Sequence, residues 1–164
     1  MAWSTLTARS AGDAILASDQ NITAANFVEL APFFSAWTSW TPTLAQGAST
    51  NIAKTILYAK SVKIGRVVLA NFRINITAAG TAGSDFTMTL PYTATATANL
   101  VIGHGFYFDS GVARYAGSWE LNSAGTAVSI SGDWSGGASW GSTPNVAAAN
   151  GDVCSGLLMY EAAS

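Results

Sequence analysis

The chain has 164 residues, of which only 10 % are charged and 49 % are hydrophobic, and its formal net charge is −2. This length suits one domain with a short appendage. It contains no run of about 20 apolar residues for a membrane-crossing helix and no dense basic stripe for nucleic acid. Its single cysteine, Cys154, excludes an intrachain disulfide.

Charged residues usually supply about 25 % of a soluble domain. A chain with far fewer exposes apolar patches unless a neighbouring subunit covers them, so the composition points to self-association. The opening Met1-Ala2-Trp3-Ser4-Thr5 has neither the basic nor the apolar region of a secretory signal.

From Ser18 to about Leu30 the pattern predicts a helix. Ser18 and Asp19 can cap its first turn, Ile22, Ala25 and Val28 recur near helical spacing, and Pro32 ends it. One short helix is marginal alone, so its apolar side is expected to pack on sister chains. An aromatic connector follows from Phe33 to Leu44, in which Pro42 holds Thr41 extended. Residues 1–36 therefore read as an attachment and oligomerisation arm, and 37–164 as a β-rich domain. The expected subunit or particle contacts are Trp3, Ile22, Phe27, Leu30, Phe33, Phe34, Trp37 and Trp40.

Beyond the connector the period changes to two. Val68, Ala70, Phe72, Ile74 and Ile76 alternate with Leu69, Asn71, Arg73 and Asn75, which places the first set on the core face of a strand. Further strands are predicted at Asp85–Leu90, Leu100–Phe108, Val112–Leu121, Ala127–Ser131 and Val153–Tyr160. Asp109-Ser110-Gly111 and Asn122–Thr126 are the clearest hairpin connections. Short strands at this spacing, without intervening helices, predict a mainly β fold: an antiparallel sandwich or jelly-roll-like domain behind an N-terminal arm with one short helix.

Little in the chain points to catalysis. His104, the only histidine, shares a strand face with Ile102, Phe106 and Phe108, and the sequence places no nucleophile or second ligand beside it. It reads as a partly buried side chain making one hydrogen bond. Cys154 has no neighbouring cation to activate its thiol and reads as a small core residue. The Gly-rich run at Gly132–Gly137 neither opens a helix nor precedes a Lys-Ser/Thr pair, so it implies no phosphate cradle. The expectation is a protein without catalytic residues, cofactor or metal. Of the 6 tryptophans, Trp134 and Trp140 stand in a Gly-rich loop and are the candidates for stacking on a glycan or receptor.

Several motifs in a shared order resemble a known family. Arg9-Ser10-Ala11-Gly12-Asp13-Ala14-Ile15-Leu16-Ala17-Ser18, then Asn21 and a short helix, is similar to the leader of many bacteriophage and prophage tail or virion proteins. Trp40-Thr41-Pro42-Thr43-Leu44, the stretch from Tyr58 through Ile64-Gly65-Arg66, Leu90-Pro91, and Gly156-Leu157-Leu158-Met159-Tyr160-Glu161 resemble their β-rich module. The resemblance spans nearly the whole chain. It implies a structural protein of the virion, often trimeric, with no catalytic residues to transfer.

The expected function is thus a trimeric capsid decoration, or cement, protein held to the particle by its N-terminal arm. Its partners would be its own copies and other virion proteins such as the major capsid protein or tail proteins, without nucleic acid or membrane insertion. Assembly would occur in the host cytoplasm. The alternatives are a tail-fibre or tail-tip receptor binder, with Trp134 facing a host-surface glycan, and a carbohydrate-binding module.

Overall fold

A computed structural model describes residues 21, 37–95, 99–122, 124–132, 134 and 138–163. By its contacts the chain divides into two units, Met1–Ala36 and Trp37–Ser164. The predicted helix Ser18–Leu30 lies outside the described residues save Asn21, which is helical and exposed.

The second unit is mainly β. Its strands are β1 (Thr38–Ser39), β2 (Leu44–Gln46), β3 (Lys54–Ile64), β4 (Val67–Ile76), β5 (Phe86–Thr89), β6 (Val101–Asp109), β7 (Ala113–Leu121), β8 (Ala127–Ser131) and β9 (Val153–Glu161). They form one 9-stranded sheet in the order β1-β3-β4-β9-β6-β7-β8-β5-β2. Every neighbouring pair is antiparallel.

The two outermost strands of this sheet, β1 and β2, are consecutive in the chain and joined only by Trp40–Thr43. In a flat sheet, neighbours about 4.8 Å apart would put the edges roughly 38 Å from each other. The link spans at most about 17 Å when fully extended. The sheet therefore curls until its edges approach. Hydrogen bonds hold the link at both ends: Trp40 N–H donates to the Ala59 carbonyl of β3 at 3.1 Å, and Thr89 N–H of β5 donates to the Thr43 carbonyl at 3.0 Å.

Curling gives the sheet an inside and an outside. Val68, Ala70, Phe72, Ile74 and Ile76 of β4 are all 0 % exposed, as their alternation predicts. Aromatic contacts reach across the interior. Phe72 on β4 meets Trp119 on β7 edge to face at 5.2 Å, although these strands lie three places apart in the sheet. Phe86 on β5 meets Tyr107 on β6 in the same way at 5.0 Å. Such contacts require side chains converging from a concave wall. The Trp119 indole fits because Gly105 and Gly156, paired across β6 and β9, present bare backbone beneath it.

Two buried polar side chains fasten the long excursion between β8 and β9. Gln46 donates to the carbonyls of Ser84 at 3.2 Å and Val146 at 2.8 Å, and its Oε1 accepts from Ala148 N–H at 2.8 Å. Asp152 accepts from Tyr107 Oη at 2.9 Å, Ser110 N–H at 2.8 Å and Ala149 N–H at 2.8 Å. A buried amide or carboxylate is tolerated when its lone pairs and protons find partners in this way. Burial, and then the Asp152 charge, push the Tyr107 phenol well above its ordinary value, so it stays a donor.

The predicted strands recur with shifted ends, Asp85–Leu90 as Phe86–Thr89 and Val112–Leu121 as Ala113–Leu121, while Ala127–Ser131 coincides. Strand β3 was not among the strands read from the periodicity. A bulge between Ile56 and Tyr58 breaks its alternation, and beyond it the inward positions are the small Ala59 and Ser61. Two hairpins form where expected: Gly111 sits at φ +80° after β6, and the Asn122 carboxamide oxygen accepts from Thr126 and Ala127 N–H at 3.2 Å before β8.

Gly156→Ala drives a methyl into the Trp119 ring and the His104 carbonyl. It is expected to cost about 1–3 kcal/mol by overpacking, read as a lower urea midpoint; a wild-type midpoint would contradict the fit. Asp109 is only 8 % exposed, and burial followed by the Asp152 charge raises its carboxyl above the usual range. A raised carboxylate means that the folded state holds its proton more tightly than the unfolded chain. Its ionisation therefore subtracts stability as pH rises from the unfolded to the folded pKa, and the loss is complete above the folded value. Asp109→Asn is expected to melt higher than wild type at pH 7, with the advantage shrinking as the pH falls through that window. An advantage independent of pH would contradict this.

Candidate functional site

The tryptophans read from the sequence separate into different environments. Trp3, Ile22, Phe27, Leu30, Phe33 and Phe34 lie outside the described residues. Trp37 is 40 % exposed just before β1. Trp40 is half-buried, its ring edge to face with Phe72 at 6.0 Å. Trp134 is half-buried as well: its ring lies over Gly117 and Gly132 and meets Tyr115 edge to face at 5.6 Å, and Nε1–H donates to the Thr143 carbonyl at 2.8 Å.

Trp140 corrects the sequence reading. It is 0 % exposed and stacks on Tyr107 with 3.5 Å between ring centroids. Its backbone is threaded between two strands, taking the Ile130 carbonyl at 2.8 Å and receiving Phe86 N–H at 3.0 Å. The Gly-rich composition around it suggested an open loop, but this ribbon is hydrogen-bonded to the sheet and turns Trp140 into the core, leaving no face for a sugar.

His104 is exposed on the outer face of β6, where its Nδ1 stands 3.3 Å from Ser118 Oγ on β7. The other side chain at its level is Leu157 of β9, so no carboxylate orients the ring through these pairings. Cys154 is fully buried on β9, and burial pushes its thiol up to about 12. Among the described residues, no group of three or more His, Cys, Asp or Glu side chains could hold a metal ion.

The outer face itself is the most distinctive surface. Strands β3, β4, β9, β6 and β7 lie side by side, and their outward side chains form cross-strand rows. One row runs Lys60, Asn71, Leu157, His104, Ser118; the next toward Arg73 runs Tyr58, Arg73, Ser155, Phe106, Ala116. On the other side Val62, Leu69 and Met159 align toward the bulge at Ile102 and the Val101–Glu120 pair. Leu157 is 54 % exposed, Met159 63 %, Val101 46 % and Val67 48 %. Leu69, Val101, Ile102, Gly103, His104, Leu157 and Met159 line a shallow groove of about 360 Å³.

That volume would admit a small ligand, but among the described residues His104 is the only polar side chain in the lining. Small-molecule sites normally add several convergent polar groups to fix orientation. An open apolar trough of this kind matches a protein surface better. A second shallow groove adjoins it across His104, lined by Gly105, Ala116, Gly117, Ser118, Ser131 and Gly132. The sequence did carry a sign of this face. The run Leu157-Leu158-Met159-Tyr160 is apolar at both parities, and a strand of that kind has both faces to cover. Comparison with models of protein families, with curated proteins and with solved structures returns no match to this chain.

Proposed function

We propose that this chain is a structural subunit of a bacteriophage particle, a trimeric capsid decoration protein whose residues 1–36 attach it to the virion and whose β domain, a sandwich-like module, lies outward. The observation that carries the reading is the outward apolar face of β4, β9 and β6 on a chain with only 10 % charged residues. Such a surface serves a protein that works by covering area against other protein, and a catalyst has no need of it.

The phage assignment draws on the order of the motifs; the leader Arg9–Ser18 lies outside the described residues, and the motifs of the β-rich module fall at the link between the edges, at a hairpin turn, after β5 and in β9. Trp40–Leu44 is the link between the two edges. Gly65-Arg66 is the two-residue turn of the β3–β4 hairpin, where φ at Gly65 is +60°, a value a side chain would resist. Leu90-Pro91 follows β5, and Gly156–Glu161 lies in β9, the fourth strand of the order, between β4 and β6. Arg66 bonds Glu161 at 3.1 Å and donates to the Ala162 carbonyl at 3.2 Å, which ties the turn motif to the closing motif. A set of residues that recurs together because a fold requires all of them is what a shared module would show.

A receptor-binding role at a tail tip is the second reading, favoured by the half-buried Trp134 ring beside Gly117 and Gly132, which also line the second groove. On that reading Trp134→Ala abolishes adsorption to host cells while assembly proceeds, and normal adsorption would remove its support.

The decoration reading is tested by deleting Met1–Pro32. The truncated chain is expected to fold and to lose co-sedimentation with particles by at least tenfold, about 1.4 kcal/mol of attachment. Undiminished co-sedimentation would contradict attachment through the arm, and absence of the full-length chain from purified virions would contradict the function itself.

A further inference from the structure

We propose that the outer face of β4, β9 and β6 is a docking surface for a second copy of this chain, related by a rotation axis that runs parallel to β9 past Leu157 and Met159. The inference rests on the reading that the chain works by self-association, and not on the virion or the three-fold. The apolar centre supplies the drive: Leu69 on one side, Leu157 and Met159 in the middle, Val101 and Ile102 on the other.

The orientation follows from charge. Lys60 stands on the outward face of β3, two strands to one side of β9. Glu120 stands on the outward face of β7, two strands to the other side, opposite Val101. An axis parallel to the strands carries the β3 flank of one copy onto the β7 flank of the other. Lys60 then lies level with Ser118, and Glu120 is two residues, about 7 Å, further along the strand, so unlike charges fall on the same flank of the contact. The same operation sets Leu69 of one copy against Val101 and Ile102 of the other.

An axis running across the strands would instead oppose each flank to itself. Lys60 would face a second Lys60 and Glu120 a second Glu120, which costs specificity through like-charge contact. Glu161 does not disturb the argument, because Arg66 engages it within the same chain at 3.1 Å. The curl of the sheet makes this face convex, so the contact is a strip centred on β9, with the apolar groove inside it and the charges at its rim.

The test measures association of the full chain by sedimentation equilibrium across concentration. Leu157→Glu is expected to weaken association at least tenfold, and Met159→Glu, at a position 63 % exposed and therefore harmless to folding, to do the same. Lys60→Glu and Glu120→Lys are each expected to weaken association, and the double exchange to restore it. Within one chain these residues are four strands apart, about 19 Å along the sheet, with outward side chains that diverge on a convex face, so rescue reports a contact between copies. Wild-type chain that stays monomeric, association indifferent to both apolar substitutions, or a double exchange no better than the singles would overturn the proposal. A dimeric mass with rescue would keep this face and discard the trimer; a trimeric mass indifferent to Leu157→Glu would keep the trimer and discard this face.

Discussion

The short covalent link between the two edges of the sheet governs the rest of this structure. Because Trp40–Thr43 joins β1 to β2, nine strands that would otherwise spread into an open ribbon must curl until their ends approach. The curl creates an interior, and the interior accounts for the aromatic side chains that fill it: Phe72, Phe86, Tyr107, Trp119 and Trp140 are all 0 % exposed. It also accounts for the glycines at positions 105 and 156, since a concave wall that carries tryptophan on one strand needs bare backbone on its neighbours. Each feature is a consequence of bringing distant strands to face one another.

The same curvature leaves a convex outside whose central strips are apolar. In most antiparallel sheets one face meets the core and the other meets water, and the outward residues are polar. Here β9 departs from that rule: Cys154, Leu158 and Tyr160 point inward while Leu157 and Met159 point outward. The departure extends to neighbouring strands, where Tyr58 and Ile64 of β3, Val67 of β4 and Val101 and Phe108 of β6 are exposed as well. Polar residues stand among them: toward β3 the outward face carries Lys60, Arg73 and Asn71, and toward β7 it carries Ser118 and Glu120. An apolar strip with a polar rim is the ordinary anatomy of a protein interface.

How far the sequence disclosed this differs from residue to residue. The core face of β4 was legible because five inward residues alternate without interruption, and the hairpins after β6 and β7 were legible because glycine and asparagine mark them. Strand β3 was obscured by its bulge, and the link's role was hidden because strand order is a property of the whole sheet that local periodicity does not contain. Trp140 was misplaced for a related reason: a Gly-rich stretch looks like an open loop until its backbone hydrogen bonds to Ile130 and Phe86 are seen. His104 was expected to be partly buried and lies exposed, because the residue beside it across the strands, Leu157, is itself turned outward. The alternation placed it on one face with Ile102, Phe106 and Phe108; this holds for Phe106 and Phe108, whereas the irregularity between Val101 and Gly103 leaves Ile102 buried, and only the sheet reveals that the shared face is the outer one.

The claim on which the account turns is that the Leu157–Met159 strip is covered by another copy when the chain does its work. Methionine oxidation reads this directly, because a mild oxidant converts an accessible thioether to the sulfoxide. Met159 is 63 % exposed in a single chain, and Met88 is 0 % exposed and serves as the internal reference. The account predicts that Met159 is protected at concentrations where the chain associates and oxidises readily on dilution, with Met88 slow throughout. Oxidation of Met159 at one rate across the whole concentration range would contradict it.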